Sequence, residues 1–409
     1  MPLVAALLLA LLACFQDKPP SESECKRLVE DYLALDAFDA DAEAERRAIL
    51  ARLRQAKPLS ASKVRTWRKR VLSQAARGVE LETSPGVHEL ADGRLYYLAG
   101  QTARPKGVLL HLHGRSAPAP KPIPPQNPFH LAALKRDWVV IWPRRLAGDE
   151  AWTDPGSERL VLFLLDAALR TFEVESDRVV LSGSSAGAIG AWSLAARHAD
   201  RFAALTPFSG GPVALHRGSA PRDGVVPNLR NLPISQFQAV DDALTPVSMT
   251  RAADRSIAAA RELWGGYAWH YHEVPGTKHG SPLEGCDPVY DPIEEARREA
   301  CPARVVWQPS AGGPRRLYWL AWEEPRLGAV VVADLDPEEN AVRVTTEGGA
   351  SGLELLLSDD ALDLDRELTV YADGAEVFRG EVARRLDVVV RTGARGDAET
   401  LFEASVVLP

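Results

Sequence analysis

The chain has 409 residues, with 48 Lys and Arg against 56 Asp and Glu, a formal charge of −8 at pH 7. That balance argues against a nucleic-acid backbone binder, which needs a concentrated basic face. Hydrophobic residues at 46% and charged residues at 25% argue against disordered, collagen-like and low-complexity classes, and the length corresponds to two or three domains of about 150 residues.

At the N-terminus a single apolar run, Leu3 to Ala13, ends at Cys14. It is too short to cross a hydrocarbon core of about 30 Å. It fits the apolar region of a secretory signal, although the basic flank is missing. Residues 1–20 are therefore expected to be a signal peptide that sends the chain to the medium, periplasm or cell envelope. Leu11-Leu12-Ala13-Cys14 also resembles a bacterial lipoprotein cleavage box, so a lipid on Cys14 is the single membrane contact considered. No later stretch approaches 18 uninterrupted apolar residues. Of Cys14, Cys25, Cys286 and Cys301, the last two bracket the acidic stretch DPIEEARREA and are the expected disulfide pair, with two unpaired thiols as the alternative.

Residues 21–80 read as a helical extension, with Leu28, Tyr32, Leu33, Leu35, Ile49, Leu50 and Leu53 recurring near the helical period. Over 81–302 short apolar runs alternate with helical stretches. VLLHLH, WVVIW, RVVLS, AALTPF, ISQFQAV and AWHYHEV read as strands, which implies a mostly parallel sheet with helices on both faces. Residues 303–409 lose the helical pattern. RLYWLAW, AVVVADL, AVRVTTE, LELLLS, LTVYA, EVFRGEV, LDVVVR and FEASVVL read as strands of an all-β sandwich of immunoglobulin or fibronectin-III style. The Pro-rich patch Ser116 to Pro128 reads as a loop.

In an open parallel sheet, ligands bind beyond the carboxyl ends of the strands. Directly after RVVLS stands Gly183-Ser184-Ser185-Ala186-Gly187, followed by the Ala-rich AIGAWSLAARH. G-x-S-x-G between a strand and a helix is the pattern of a nucleophile elbow, in which the glycines permit a tight turn that lifts Ser185 to a helix N-terminus. A bare match occurs by chance about one time in ten in a chain this long, so the context carries the weight. His111-Leu112-His113-Gly114-Arg115 closes an earlier strand. Asp241 and Asp242 follow ISQFQAV, and Gly276-Thr277-Lys278-His279-Gly280 follows AWHYHEV. Serine, carboxylate and histidine thus occur in the chain order of α/β-hydrolases.

Residues 100–282 resemble that superfamily, in particular its secreted esterase branch. DRVVLSGSSAGAIGAWSLAARHADRFAALTPFSGG is similar to a segment of polyhydroxybutyrate-depolymerase-like, feruloyl-esterase-like, phospholipase/carboxylesterase-like and prolyl-oligopeptidase-like enzymes. The resemblance implies Ser185 as nucleophile and His279 as general base. It implies Asp242 as the carboxylate that orients the histidine, because Asp242 stands four residues before Pro246 as in the D-x-x-x-P pattern of related hydrolases. Asp241 is the alternative. The backbone amides of Arg115 and Ala186 are the implied oxyanion hole. Two departures are visible: Ala188 stands where many relatives carry a second glycine, and the turn at His113-Gly114-Arg115-Ser116 is not glycine-rich.

The pairs His111/His113 and His270/His272 raise a metal site, but they fall on different strands and lack accompanying acidic or histidine ligands, so no metal and no cofactor is expected. Trp142, Trp152 and Phe208 are candidates for either a pocket lining or plain core. Trp319 and Trp322 should face opposite sides of a strand, which makes them candidates either for an exposed carbohydrate or polymer contact through the C-terminal domain or for a contact between domains. Three functions follow: hydrolysis of a small or polymeric carboxylic ester through an acyl-enzyme, a serine peptidase of prolyl-oligopeptidase type, or an inactive hydrolase-like binding module at the cell surface.

Overall fold

The computed structural model describes residues 18–35, 41–115, 126–144, 151–212, 221 and 223–409. The apolar leader, Cys14 and residues 116–125 of the Pro-rich patch lie outside them. By its internal contacts the chain forms two compact units. The first joins the residues up to Arg77 with Leu356–Arg366 and Glu381–Val406, and the second holds Gly78–Leu355, Glu367–Gly380 and Val407–Pro409.

In the first unit the periodic stretch after Ser21 folds as α1 (Glu22–Ala34), α2 (Glu43–Arg54) and α3 (Ala61–Ala75). Ser21 and Ser60 cap α1 and α3, their hydroxyls accepting the amide hydrogens of Glu24 and Lys63, which satisfies donors that a helix start leaves open. Leu28, Val29, Tyr32, Ile49, Leu53, Trp67 and Val71 form the core together with Leu386, Val389, Val390 and Leu401. These last residues correct one expectation: LDVVVR is not a strand, because Leu386–Gly393 is helical. So short an apolar run fits either period. Leu386, Val389 and Val390 fall at helical spacing, and burying that face outweighs the ~0.5 kcal/mol each valine loses in a helix. Residues 303–409, grouped above as one sandwich, therefore contribute to both units.

In the second unit β1 (Gly86–Glu89), β2 (Leu95–Gly100), β3 (Gly107–Leu112), β4 (Trp138–Arg144), β5 (Val179–Ser184), β6 (Ala204–Phe208), β7 (Ile234–Ala239) and β8 (Trp269–Val274) form one sheet ordered β1-β2-β4-β3-β5-β6-β7-β8. β1, β2 and β4 pair antiparallel; from β4 to β8 neighbours run parallel. The connections are α4 (Pro128–Lys135), α5 (Pro155–Phe172), α6 (Ala186–Arg197) and α7 (Val247–Trp264). Right-handed crossovers put α4 on one face and the other three on the opposite face. That double cover explains why β3, β6 and β7 are buried along their whole length. This is the α/β-hydrolase arrangement expected from the sequence.

On the α4 face, Phe129, Trp138, Trp142, Phe208, Cys286 and Tyr290 share one apolar layer. The expected Cys286–Cys301 bridge is not formed: Cys286 is a buried thiol. The chain after it makes only a helical turn, Asp287–Tyr290, and a 3-10 turn, Asp291–Ile293. Val289, Tyr290 and Ile293 draw Cys286 under the sheet, where burial pushes its thiol well above the ordinary range.

Farther along come β9 (Arg304–Trp307), β10 (Arg316–Leu317), β11 (Leu320–Trp322), β12 (Val330–Asp336), β13 (Ala341–Glu347), β14 (Leu353–Leu357), β15 (Leu368–Ala372), β16 (Ala375–Gly380) and β17 (Ala404–Val407). Five form a sheet ordered β16-β15-β13-β12-β9, and β10, β11 and β14 belong to a second. Trp307 and Trp322, one from each sheet, meet edge to face at 6.4 Å. Two packed sheets are the sandwich expected, but β13 and β15 pair parallel, which departs from an immunoglobulin pattern. RLYWLAW is two strands broken at Tyr318, where φ is 53°. Trp319 and Trp322 are both buried, their indole N–H groups donating to the carbonyls of Pro302 (2.8 Å) and Ser351 (3.1 Å). Of the two readings, the exposed polymer contact is thus excluded for both side chains.

Glu403, in the first unit, is 1% exposed and accepts hydrogen bonds from the Asp359 amide (2.9 Å) and from Arg68 (3.3 Å). Burial dominates these contacts and pushes its carboxyl up to about 7. A folded-state value above the unfolded one of about 4.3 means that the folded form holds the extra proton, so this stability is complete in acid and is lost as pH rises through about 7. Melts of Glu403→Gln and its parent between about pH 4.5 and 7.5 check this. The parent should lose stability relative to the variant across that window, and parallel curves would contradict the assignment.

Candidate active site

The site lies where connections leave the sheet in opposite directions. β3 leads back to β4 while β5 leads on to β6, so a crevice opens beyond their carboxyl ends. β5 ends at Ser184, α6 starts at Ala186, and Ser185 between them has φ 57° and ψ −120°. A non-glycine residue held in such a conformation costs on the order of 1–3 kcal/mol and persists only where its surroundings enforce it. The flanking glycines make the turn feasible: a Cβ on Gly183 would lie 2.3 Å from the Gly187 carbonyl oxygen, and one on Gly187 would lie 2.0 Å from that of Leu112. The Ser185 amide donates to the Phe208 carbonyl on β6 (2.9 Å).

Across the crevice the chain after β3 passes so close that a Cβ on Gly114 would lie 3.3 Å from the Ser185 Cβ. Trp152 fixes this turn, its indole N–H donating to the His113 carbonyl (2.8 Å) while its Cβ occupies the space a side chain on Gly190 would need. Arg115 follows with its side chain exposed. Ala186 is the first residue of α6, a position whose amide has no partner within the helix.

Asp242 lies in the turn after β7, its carboxylate wholly buried. Oδ1 accepts the amide hydrogens of Leu244 (2.9 Å) and Thr245 (2.8 Å); Oδ2 accepts the Thr245 hydroxyl (2.6 Å) and lies 2.8 Å from His279 Nδ1. Burial pushes this carboxyl up, but the donors of Thr245, His279 and Leu244 together outweigh it and hold the group below the ordinary carboxylate range. Asp241, the alternative, is exposed and instead accepts the amide of Gly276 (2.7 Å).

His279 follows β8 in a loop anchored by its neighbour Gly280. The Ser209 hydroxyl donates to the Gly280 carbonyl (2.8 Å), and the Gly280 amide donates back (3.4 Å). Ser209 adjoins Phe208, whose carbonyl takes the Ser185 amide, so Ser185 and the histidine loop hang from adjacent residues at the end of β6. No hydrogen bond joins Ser185 Oγ to His279 among the described residues.

Sequence reasoning missed Thr245 and Ser209. Thr245 stands inside the D-x-x-x-P stretch, but nothing in the sequence marks Ser209. Trp142, Trp152 and Phe208 are buried. The histidine pairs do not converge: His111 reaches Ser182 and Ser184, His113 the Gly114 carbonyl, and His272 the Ser235 hydroxyl.

No protein-family model matches the chain, and no curated protein does. Among solved structures it is similar to a thermostable esterase, at 18% identity and TM-score 0.35, over 51% of this chain and 59% of that one. It is similar to the apo form of esterase 2 of Thermogutta terrifontis at 15% identity and TM-score 0.38, over 53% and 93% of the two chains. A poly(3-hydroxybutyrate) depolymerase of Bordetella parapertussis is similar at 17% identity and TM-score 0.38, over 52% and 88%. The match thus takes in less than two thirds of the first esterase. The α/β-hydrolase fold is defined by the sheet order and the elbow themselves.

Thr245→Val removes one donor to a buried carboxylate, a loss of about 1.5–3 kcal/mol. A carboxyl held low stabilises the fold above its unfolded value of about 3.9 and loses that contribution as pH falls through the folded value. The variant's Tm should lie several degrees below the parent's at pH 7, with the gap closing in acid. An equal gap at every pH would contradict the role given to Asp242.

Proposed function

We propose that this chain is an exported serine hydrolase that cleaves carboxylic esters through an acyl-enzyme, with Ser185, Asp242 and His279 as its triad. The observation that supports this reading is the 2.8 Å Asp242–His279 pair, on a loop tied through Ser209 to the end of β6, where the Phe208 carbonyl takes the amide of Ser185 in its elbow turn. Ser185 Oγ attacks the ester carbonyl as His279 Nε2 takes its proton, while Asp242 orients the ring and stabilises the imidazolium. The amides of Arg115 and Ala186 receive the negative oxygen. Collapse breaks the C–O bond, and the departing alkoxide takes the proton from His279. Water then repeats the sequence on the acyl-enzyme, releasing the acid and restoring Ser185.

Export, with lipidation of Cys14 as the single membrane contact, is part of the proposal and rests on the run Leu3 to Ala13. A polymer or carbohydrate contact through the C-terminal sheets would use surface other than Trp319 and Trp322, which are buried.

Turnover of p-nitrophenyl acetate and butyrate against a proline-linked chromogenic peptide tests the substrate class. The esters should be cleaved and the peptide not, whereas the reverse would favour a peptidase. Ser185→Ala should lower ester turnover at least about 10³-fold, and parental turnover in that variant would end the assignment.

A further inference from the structure

His111 has no part in that mechanism, yet it sits beneath the elbow. On β3 it pairs in register with Ser182 of β5, and Ser182 and Ser184, two residues apart, share one face of that strand. Its Nδ1 lies 3.0 Å from the Ser182 hydroxyl and its Nε2 lies 3.0 Å from the Ser184 hydroxyl.

The direction of each bond follows from counting protons. Ser182 has one hydroxyl proton and donates it to the Thr206 carbonyl (2.9 Å). Toward His111 the Ser182 oxygen can then only accept, so Nδ1 carries the ring hydrogen. The Tyr290 hydroxyl, 3.2 Å from Ser182, fills its second lone pair. Burial opposes a charged ring and lowers the His111 pKa to about 3, so the imidazole is neutral and Nε2 is bare. Nε2 therefore accepts the Ser184 proton. Phe129, with its ring centroid at 4.2 Å, and Trp142, at 5.8 Å, hold the imidazole in plane for both bonds.

We propose that His111 is a positioning residue for the nucleophile: its Nε2 fixes the Ser184 hydroxyl and thereby pins the residue immediately before the strained Ser185. The inference rests on Ser185 being the nucleophile. Strain at Ser185 persists only if both sides of the turn are held. The Phe208 carbonyl holds the Ser185 amide, and His111 holds the preceding residue through its side chain. A histidine that merely filled core space would leave the Ser184 hydroxyl without consequence for turnover.

The test is a double-mutant cycle on the full chain with p-nitrophenyl butyrate, using His111→Phe, Ser184→Ala, the double variant and His111→Gln. Each of the first two should lower kcat about tenfold with KM changed less than about twofold, as expected for one lost hydrogen bond felt in the transition state. The double variant should fall no further than the worse single one, because both break the same bond. His111→Gln, which keeps an acceptor for Ser184, should recover to within about threefold of the parent. Losses that multiply in the double variant, or parental kcat in Ser184→Ala, would overturn the proposal. Ser184→Ala removes a single half-buried hydroxyl and decides the matter even if His111→Phe does not fold. A parent with no Ser185-dependent ester turnover removes the nucleophile reading and this inference with it. An active parent with multiplicative losses removes this inference alone.

Discussion

The site depends on one backbone constraint, the left-handed turn at Ser185, where a parallel strand becomes a helix within a single residue. A turn so abrupt leaves no volume for side chains on its inner side. Gly183 and Gly187 must therefore be bare, and the next turn of the helix must yield space at Gly190 to the tryptophan that steadies the opposite loop. The strain of about 1–3 kcal/mol is offset by packing and hydrogen bonds that the fold makes in any case. Because β3 and β5 send their connections in opposite directions, the same turn opens onto a crevice instead of a covering loop.

Two buried titratable groups beside that crevice are handled in opposite ways. Asp242 is surrounded by donors, so the low-dielectric interior strengthens its bonds and keeps it an anion. His111 meets hydroxyls and aromatic rings, an environment that a neutral ring satisfies completely and a charged one does not. In the mechanism proposed, an anion next to His279 suits a ring that carries positive charge while it holds the Ser185 proton. A neutral, proton-ordered ring beneath Ser184 suits one that must not move.

Much of this was legible in the sequence because the eight-stranded sheet is parallel from β4 to β8 and doubly covered, so those strands read as unbroken apolar runs and its turns as glycine motifs. The elbow is visible because its glycines are obligatory. What failed to show depends on partners far away in the chain. LDVVVR has the composition of a strand and becomes a helix because helices formed more than 300 residues earlier supply the groove for Leu386 and Val390. Trp319 and Trp322 were assigned opposite faces of one strand, and the break at Tyr318 buries both. Cys286 followed spacing toward Cys301, whereas Val289 and Tyr290 carry it into the apolar layer. Ser209 ties down Gly280, the residue after the histidine, through its hydroxyl, and Thr245 holds the carboxylate through its hydroxyl and amide, roles that no local pattern encodes.

The central claim is that Ser185 is an activated nucleophile, and covalent capture tests it most directly. Incubation of the full chain with a fluorophosphonate, followed by digestion and peptide mass analysis, should place one stoichiometric adduct on Ser185, with labelling strongly slowed in His279→Ala. An unlabelled chain, or an adduct on any other residue, would contradict the account.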